Sequence, residues 1–551
     1  MSMSLPKFKV THLLLAGIVA ASFLIRFRGI GWGFIFDQKL RYDTTIHDDE
    51  KKELRAISQM RPAEYFFGPL DAQREGPLHP YLIAAGLFAA EKIGYVNLSP
   101  QETFYREHPQ EMRKLFLVGR FLTLCIGLGE IIAVFFIGNR LFSPLAGILA
   151  ATLLAFIPIE VVQSTYFRSY TLANFFMLVG LYAALRIAEE KKYRWWLLGA
   201  GAVGFTFSTR ISMLPAFLFL PAAVWYRIYT QEVQHAWPPL RTLGYLVARS
   251  FRPILLMLAI CIGAVILSNP YWLIKPRAIW HEMNTYAGYT GNRFDIRDQL
   301  YHFGIAFTRS IPQAMTVALY IFSLAGLVLA LVRKHRLAFI TLGFIAVYAY
   351  AVFGNVYATI PRLTMPLMPL FALFSGYAAG EFFSGRLPGR HGIRKIGLAM
   401  LLTASIGYAV LYDVAHMEAA RRTPTLANVS AWIEKHISPG DSIGITWRHA
   451  HFKELDFDRY KNVVELTDLL SGLEKTKPRY LILFSYICCD FYQGTQPQDV
   501  YQAQLTKYGY QELIRFPGET PRVGPFVFAN RIDRLLEYET RIYMAGTRES
   551  Q

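Results

Sequence analysis

The sequence is poor in the residues and motifs that define most soluble enzymes. Four cysteines occur in 551 residues, without a CxxC zinc pattern or the spacing of a disulfide framework. No Walker phosphate loop, HExxH motif or GxSxG motif is present, which argues against an ATP-driven pump and against a protease. Charged residues make up only 18% of the chain, whereas 53% is hydrophobic and 15% is aromatic. This composition indicates a polytopic membrane protein.

The charge balance is basic, with 57 Lys and Arg residues against 40 Asp and Glu residues. In a membrane protein such an excess concentrates in the cytoplasmic loops. It is therefore weak support for a nucleic-acid partner, and we expect none.

Hydrophobic segments predict about eleven membrane-spanning helices. The first, at residues 13–25, is interpreted as an uncleaved span rather than a signal peptide, because many more hydrophobic segments follow it. The others are predicted at residues 115–137, 144–161, 171–188, 195–209, 211–228, 253–273, 314–332, 337–354, 363–383 and 395–413.

A further apolar segment, residues 78–93, contains Glu91 and is shorter than the ~20 residues that a span needs. If it does not cross, the basic clusters of the later loops all fall on one side, which the positive-inside rule makes cytoplasmic. Residues 78–93 are therefore predicted to form a re-entrant or interfacial helix. The clusters contain Arg140, Lys191, Lys192, Arg194, Arg227, Arg241, Arg249, Arg252, Arg333, Lys334, Arg336, Arg386, Arg390, Arg394 and Lys395.

The predicted fold is an α-helical polytopic membrane protein of about 11 spans plus interfacial helices, with a C-terminal soluble α/β domain. Residues 1–415 would form the transmembrane domain, with a long external loop at residues 31–113, and residues 416–551 the soluble domain. In the soluble domain, TPTLANVSAWIEKHI predicts an amphipathic helix, and SIGIT and RYLILFS predict short buried strands. The N-terminus is then cytoplasmic, and the C-terminal domain lies outside the cytoplasm.

The stretch IHDDEKKELRAISQM, residues 46–60, predicts a helix near the beginning of the external loop. Apolar residues recur at three-residue spacing from Leu54, while Asp49 and Glu53 lie on another face. Asp48 is predicted as the N-cap, which satisfies backbone amides at the helix start. The acids are explained either by capping a surface helix or by a reactive carboxylate.

A glycine-rich stretch, GAGAVG at residues 199–204, has the spacing of a dinucleotide-binding loop. It lies within an apolar run that begins with two tryptophans, and no strand precedes it. Close packing between helices is the favoured interpretation.

Four basic side chains are predicted at one membrane face, namely His79, Arg168, Arg210 and Arg362. Each arginine alone is explained as an interface anchor, because Arg places its charge at the membrane surface readily. Together with His79 they would form a cationic collar at headgroup depth. The obvious ligand for such a collar is a lipid phosphate.

A carboxylate and several cations on the outer face suggest a transfer reaction. Nucleotide sugars are not available outside the cytoplasm, so an activated sugar would arrive on a lipid carrier. Polyprenyl phosphate leaves as a stable anion, which needs cations and hardly any general acid. The attacking hydroxyl has a high pKa and needs a carboxylate base.

Four motifs, taken in order, resemble those of the C-superfamily membrane glycosyltransferases. The resemblance is to the group containing protein O-mannosyltransferases, lipid A aminoarabinose transferases and lipopolysaccharide galacturonosyltransferases. It covers roughly residues 10–415 in layout. The motifs are Asp49-Glu50 with the helix that follows, GPLHPYL with His79, YFRSYTL with Arg168 and Tyr170, and YATIPRLTMPLMPL with Arg362.

The resemblance implies transfer of one sugar from a polyprenyl phosphate, with inversion and without a nucleotide. Asp49 would be the catalytic base that activates the acceptor, and Glu50 lies beside it. Because Asp48 is a second acid, the base is Asp49 or its neighbour. The predicted substrate-binding residues are His79, Arg168, Tyr170, Arg210 and Arg362.

The implied partners are a polyprenyl-phosphate sugar donor, membrane lipids and a lipid, glycan or protein acceptor. No cofactor is predicted, and a divalent metal has no support from ligand spacing. The expected location is the bacterial inner membrane.

Two alternatives remain open. The chain could instead be a glycan ligase or oligosaccharyltransferase that moves a whole glycan, which the long first loop allows. It could also be a non-enzymatic lipid-glycan flippase. A transporter predicts internal repeats and charged residues within the spans, whereas here the ionisable residues are expected at one rim.

Overall fold

The computed structural model describes most of the chain, and its described part divides into two compact units. The first unit comprises Met1–Ile30, Lys52–Ala89 and Val118–Asp413, and the second comprises Gly31–Lys51, Ala90–Leu117 and Val414–Gln551. The described residues are 7–37, 41–45, 47–68, 76–233, 238–290, 296–354, 361–384, 391–421, 425–445, 460, 462–465, 473, 475–484, 505–517, 522–523, 526–527 and 540–545.

The first unit consists of helices, and in the described residues 8 helices are long and apolar enough to cross a membrane. Spanning segments are helical because every backbone amide and carbonyl group must be bonded within the segment when no water is near. The 8 candidates are Val10–Gly29, Pro109–Leu141, Ser169–Glu189, Ile211–Gln231, Pro239–Ser268, Arg336–Phe353, Pro361–Phe383 and Ala399–Ala420. Other helices lie at Pro144–Ala155, Pro158–Gln163, Tyr193–Thr209, Pro270–Ile274 and Pro276–Thr290.

A broken helix pair would raise that number to 9. Ile296–Met315 and Val317–Val332 meet at an angle of 116°. Between them Thr316 has a φ of 75°, which a threonine rarely adopts. A β-branched residue in this conformation ends the first helix and redirects the chain.

The segment predicted to lie at the interface forms the helix Leu78–Lys92. Its 15 residues are fewer than the ~20 that cross a bilayer. The helix is not among the candidate spans of the described residues.

The glycine-rich stretch lies inside the helix Tyr193–Thr209 and packs against other helices. A Cβ atom added to Gly204 would lie 2.6 Å from the carbonyl oxygen of Cys261. A Cβ atom added to Gly199 would lie 3.1 Å from Leu220. The interpretation as a close helix-packing motif is confirmed.

One group of buried ionisable residues in the first unit surrounds Arg26. Arg26 is 1% exposed, and its guanidinium donates to the Ser164 hydroxyl at 2.7 Å, to the Ala155 carbonyl at 2.9 Å and to the Ser22 hydroxyl. The buried carboxyl groups that interact with it electrostatically belong to Glu130, Glu160 and Asp413. Arg26, Glu160 and Asp413 lie at the ends of the predicted spans 13–25, 144–161 and 395–413, whereas Glu130 lies in the interior of the helix Pro109–Leu141. The expectation that ionisable residues gather at one rim stays a prediction. Averaged hydropathy hides single charges inside long apolar helices.

In the second unit, a β-hairpin precedes the acidic helix. Phe34–Asp37 pairs antiparallel with Tyr42–Thr45. The guanidinium of Arg113 lies 4.7 Å from the ring centroid of Phe34. Burial raises the pKa of Asp43, and Arg113 opposes that shift. The hairpin, which the sequence pattern did not predict, fixes the chain immediately before the acidic helix.

The C-terminal part of the second unit is an α/β fold. The helix Thr425–His436 and the strands Ser442–Ile445 and Tyr480–Phe484 confirm the three predicted elements. The two strands are parallel neighbours in a mixed five-stranded sheet. The other strands of that sheet are Asn462–Glu465, Thr540–Ala545 and Tyr510–Phe516, and a separate pair joins Arg522–Val523 to Phe526–Val527.

Successive side chains of a strand point to opposite faces of the sheet, and here they fill two apolar clusters. Branched side chains are common in these strands because they pack well on such a buried surface. Ile443 and Ile482 are fully buried against Val429 and Ile433 of the helix. Leu481, from the opposite face of its strand, belongs to the second cluster.

Candidate functional site

The helix that carries the predicted base spans Asp48–Ser58. Asp48 was predicted as the N-cap, and in the structure it is the first residue of the helix. The predicted and observed helix starts therefore differ by one residue. Asp49 is half-buried. Glu50 is fully buried and accepts a 2.9 Å hydrogen bond from the Thr45 hydroxyl. Thr45 in turn accepts from the backbone amide of His47 at 3.2 Å. These contacts, all within the second unit, fix the start of the helix.

His79 lies in the first unit, at the second position of the helix Leu78–Lys92. Its side chain is fully buried, and its Nδ1 lies 3.1 Å from an oxygen of Glu53. Upstream of His79, Gly76 has a φ of 114° and lies close to the backbone of Thr209. A Cβ atom added to Gly76 would lie 2.6 Å from the carbonyl oxygen of Thr209. This contact places the beginning of the His79 segment against the residue before Arg210.

Arg210 follows the helix Tyr193–Thr209. Its side chain contacts the predicted motif YFRSYTL, which contains Ser169 and Tyr170. Its guanidinium donates to the Ser169 hydroxyl at 3.0 Å and to the Tyr170 hydroxyl at 2.6 Å. Its Cζ also lies 3.6 Å from the centroid of the Tyr170 ring, within cation–π range. We call Ser169, Tyr170 and Arg210 the Arg210 site. Both acceptors are neutral hydroxyl groups, and they fix the orientation of the guanidinium.

Arg168 is the N-cap residue of the helix Ser169–Glu189 and is 5% exposed. The same helix contacts the segment Pro361–Leu367. Asn174 donates to the Met365 carbonyl at 3.2 Å across this contact. The motif with Arg168 and Tyr170 therefore packs against the motif with Arg362.

A second link joins the Arg362 motif to the Arg210 site. The buried Tyr348 hydroxyl donates to the carbonyl of Leu363 at 2.8 Å. Tyr348 also interacts electrostatically with Tyr170 and Arg210. The half-buried Arg362 precedes Leu363 in the chain.

Within the first unit, the structure thus brings together the segments of the five predicted substrate-binding residues. Sequence reasoning missed three residues that shape this region, Glu53, Ser169 and Tyr348. Glu53 carries a weak signal, because it shares the acidic helix with Asp49. The other two are a serine and a tyrosine in apolar surroundings and carry none.

Chemically, the region offers guanidinium donors, an imidazole and neutral hydroxyl groups, which is a donor set suited to phosphate oxygens. In the described part of the chain, no group of three His, Cys, Asp or Glu side chains is arranged to hold a metal ion.

The helical fold and its apolar helices define an integral membrane protein. Residues 113–272 match the family model described as dolichyl-phosphate-mannose-protein mannosyltransferase. This match covers less than a third of the chain and agrees with the resemblance to the C-superfamily membrane glycosyltransferases. A search of curated proteins gave no significant match.

Three solved structures are similar to this chain at low identity. One is the oligosaccharyltransferase AglB from Archaeoglobus fulgidus, in complex with an inhibitory peptide and a dolichol-phosphate. It is 12% identical to this chain and has a TM-score of 0.49; the match covers 88% of this chain and 70% of that chain. ArnT from Cupriavidus metallidurans, bound to undecaprenyl phosphate, is 13% identical, with coverages of 97% and 98% and a TM-score of 0.44. The arabinofuranosyltransferase AftD from Mycobacteria is 12% identical, with coverages of 97% and 42% and a TM-score of 0.34.

Proposed function

We propose that this membrane protein is a glycosyltransferase that transfers a single sugar from a polyprenyl phosphate to an acceptor hydroxyl at the outer face of the cytoplasmic membrane. The observation that supports this most strongly is the Arg210 site. There a guanidinium is held in place by Ser169 and Tyr170, beside the segments of the other predicted phosphate ligands. The bacterial inner membrane and the outward orientation belong to the same proposal, since basic loops mark the cytoplasmic side.

The arginines act on the leaving group. As the bond between the anomeric carbon and the phosphate oxygen breaks, negative charge grows on the phosphate. Guanidinium groups already in position stabilise that charge without reorganisation, and a fixed donor of this kind is worth about 100-fold or more in rate. Arg210 is such a donor, and Arg168, His79 and Arg362 are assigned the same task.

Asp49 acts on the acceptor. Its carboxylate takes the proton of the hydroxyl group while the oxygen attacks the anomeric carbon, and the polyprenyl phosphate leaves. A single displacement of this kind inverts the anomeric configuration. Asp49 is half-buried at the start of its helix, while Glu50 is held by Thr45. The half-buried acid is therefore the better candidate for contact with an acceptor.

The test compares Asp49→Asn with Asp48→Asn in cells from which the native gene has been removed. Mass spectrometry of envelope glycans and proteins reports the mass that the gene adds. We expect Asp49→Asn to lower this product by about 1,000-fold, because the base is lost. Asp48→Asn is expected to retain it and to cost about 1 kcal/mol or less of stability, since an acid in the first turn interacts with the helix dipole.

Wild-type product levels with Asp49→Asn, at equal expression, would rule out Asp49 as the base. The mass itself separates the alternatives. One sugar unit supports the proposal, a whole oligosaccharide supports a glycan ligase, and no mass change supports a flippase.

A further inference from the structure

We propose that Glu53 is a positioning residue that orients His79 toward the phosphate of the lipid carrier. The proposal rests on the proposed function, because it assigns a partner to one of its phosphate ligands. The pair lies within the first unit, where Nδ1 of His79 is 3.1 Å from Oε2 of Glu53.

The pair fixes which imidazole nitrogen is available. A carboxylate only accepts hydrogen bonds, so the nitrogen facing Glu53 must carry a hydrogen and donate it. The ring orientation is thereby set, as it is for metal-binding histidines whose second nitrogen is held by a carboxylate. Nε2 is left to face a ligand.

Nε2 of His79 is a buried polar atom whose hydrogen bond is not satisfied by the described residues. The His79 side chain is fully buried and that of Glu53 is 16% exposed. Nε2 of His79 is itself buried and has no hydrogen-bond partner among the described residues. Leaving such an atom unbonded costs free energy, which a bound ligand can recover.

The neighbouring residues favour phosphate as that ligand. The Gly76 contact with the Thr209 backbone places the His79 segment beside Arg210, whose guanidinium is oriented by Tyr170. An imidazole protonated on both nitrogens donates from Nε2 to a phosphate oxygen while Nδ1 donates to Glu53. The ring then lies between two anions, and each N–H has an acceptor.

A merely structural ion pair would also hold two helices together, so the test must separate binding from stability. The probe is undecaprenyl phosphate, added to the full-length protein in detergent and measured by native mass spectrometry, with thermal unfolding recorded in parallel. We expect Glu53→Gln to weaken binding about 10-fold, as loss of an orienting carboxylate does elsewhere. Glu53→Asp, which retains the charge, should recover part of this loss.

Glu64→Gln is the matched control, because Glu64 is 69% exposed and pairs with Arg61 at 4.0 Å in the same region. It should bind the probe like the wild type. In a His79→Gln background, Glu53→Gln should have no further effect, because its partner is already absent.

Unchanged binding by Glu53→Gln, or additive losses in the double variant, would overturn the inference and leave the proposed function standing. Loss of thermal stability with unchanged binding would identify a purely structural pair, which also overturns it. Failure of the wild-type protein to bind undecaprenyl phosphate would overturn both the inference and the proposed function.

Discussion

Two arginine-rich regions of the first unit use opposite kinds of partner. In one, Glu189 accepts from Arg140 at 2.6 Å, from Arg186 at 3.1 Å and from Arg336 at 2.7 Å. We call these four residues the Glu189 network. In the other, the Arg210 site, the guanidinium is held by two neutral hydroxyl groups.

The difference shows how one residue type serves two purposes. In the Glu189 network, one carboxylate pairs with three arginines, which join neighbouring helix ends. At the Arg210 site, a ring and two hydroxyl groups orient the guanidinium. Arg140 and Arg336 of the Glu189 network fall in loops that the positive-inside rule assigns to the cytoplasm. The Arg210 site belongs to the motifs predicted to face outward.

The largest effect is expected when the charge of the Arg210 site is removed. Arg210→Met should lower sugar transfer about 100-fold, because a fixed donor to the leaving phosphate is lost. The matched change in the other region is Arg336→Met. It should alter transfer by less than about twofold and stability by about 1 kcal/mol or less, as for partly exposed ion pairs. Both are measured by mass spectrometry of the envelope product and by thermal unfolding.

Equal losses of transfer in the two variants, at equal expression, would remove the distinction between the two regions.

A smaller effect is expected from Gly76→Ala, which leaves the Arg210 side chain intact and disturbs its backbone support. The added Cβ would lie 2.6 Å from the Thr209 carbonyl group, and the φ of 114° is unfavourable for alanine. We expect about 10-fold less transfer and about 1–3 kcal/mol less stability, as for overpacking and backbone strain. The rate of sugar transfer and the free energy of unfolding of the purified variant are compared with those of the wild type.

Gly94→Ala is the control for strain alone. Gly94 has a φ of 74°, and nothing lies within 4 Å of its added Cβ. It should lose about 1 kcal/mol of stability and little activity. If both alanine variants behave alike, the contact with Thr209 has no special role.

The smallest effect concerns pH in the region of the Glu189 network. His335 packs against the rings of Phe142 and Tyr377, and its Nδ1 accepts from the Leu337 amide as an N-cap. Burial, and then the Arg336 guanidinium, lower the pKa of His335 from 6.5 to about 4. The unfolded chain therefore binds a proton that the folded protein resists, so stability should fall as pH drops from about 6.5 to about 4.

His335→Asn should remove this dependence, because asparagine still caps the helix and does not titrate, at a cost of about 1 kcal/mol or less at pH 7. Unfolding midpoints of both proteins between pH 4 and pH 7 provide the measurement. Parallel pH profiles would show that His335 is not the responsible group. Transfer activity at pH 7 should be unaffected, which sets this region apart from the Arg210 site.

Several elements near the candidate site followed from local sequence. The acidic helix, found at Asp48–Ser58, was predicted from the spacing of its apolar residues. The helix Leu78–Lys92 was predicted not to span because it is short and contains Glu91. Such patterns suffice because helix bonds and apolar faces depend on residues a few positions apart.

Contacts between distant positions did not follow from sequence. Glu53 and His79 are separated by 26 residues, and Tyr170 and Arg210 by 40. The hairpin before Asp49 was also missed, since Phe34–Asp37 and Tyr42–Thr45 are short and lie in a loop. The buried group of Arg26, Glu130, Glu160 and Asp413 was missed because each member lies in a largely apolar stretch of the chain.

The sequence by itself determined the long apolar helices, the acidic helix and the residue types that are available for chemistry. A bilayer requires each span to bond its own backbone, so spans can be recognised one at a time. Only the tertiary structure decided that Arg210 is held by Tyr170 and that Glu53 reaches His79. Those partnerships depend on how helices rotate and pack against one another, which no local pattern of residues encodes.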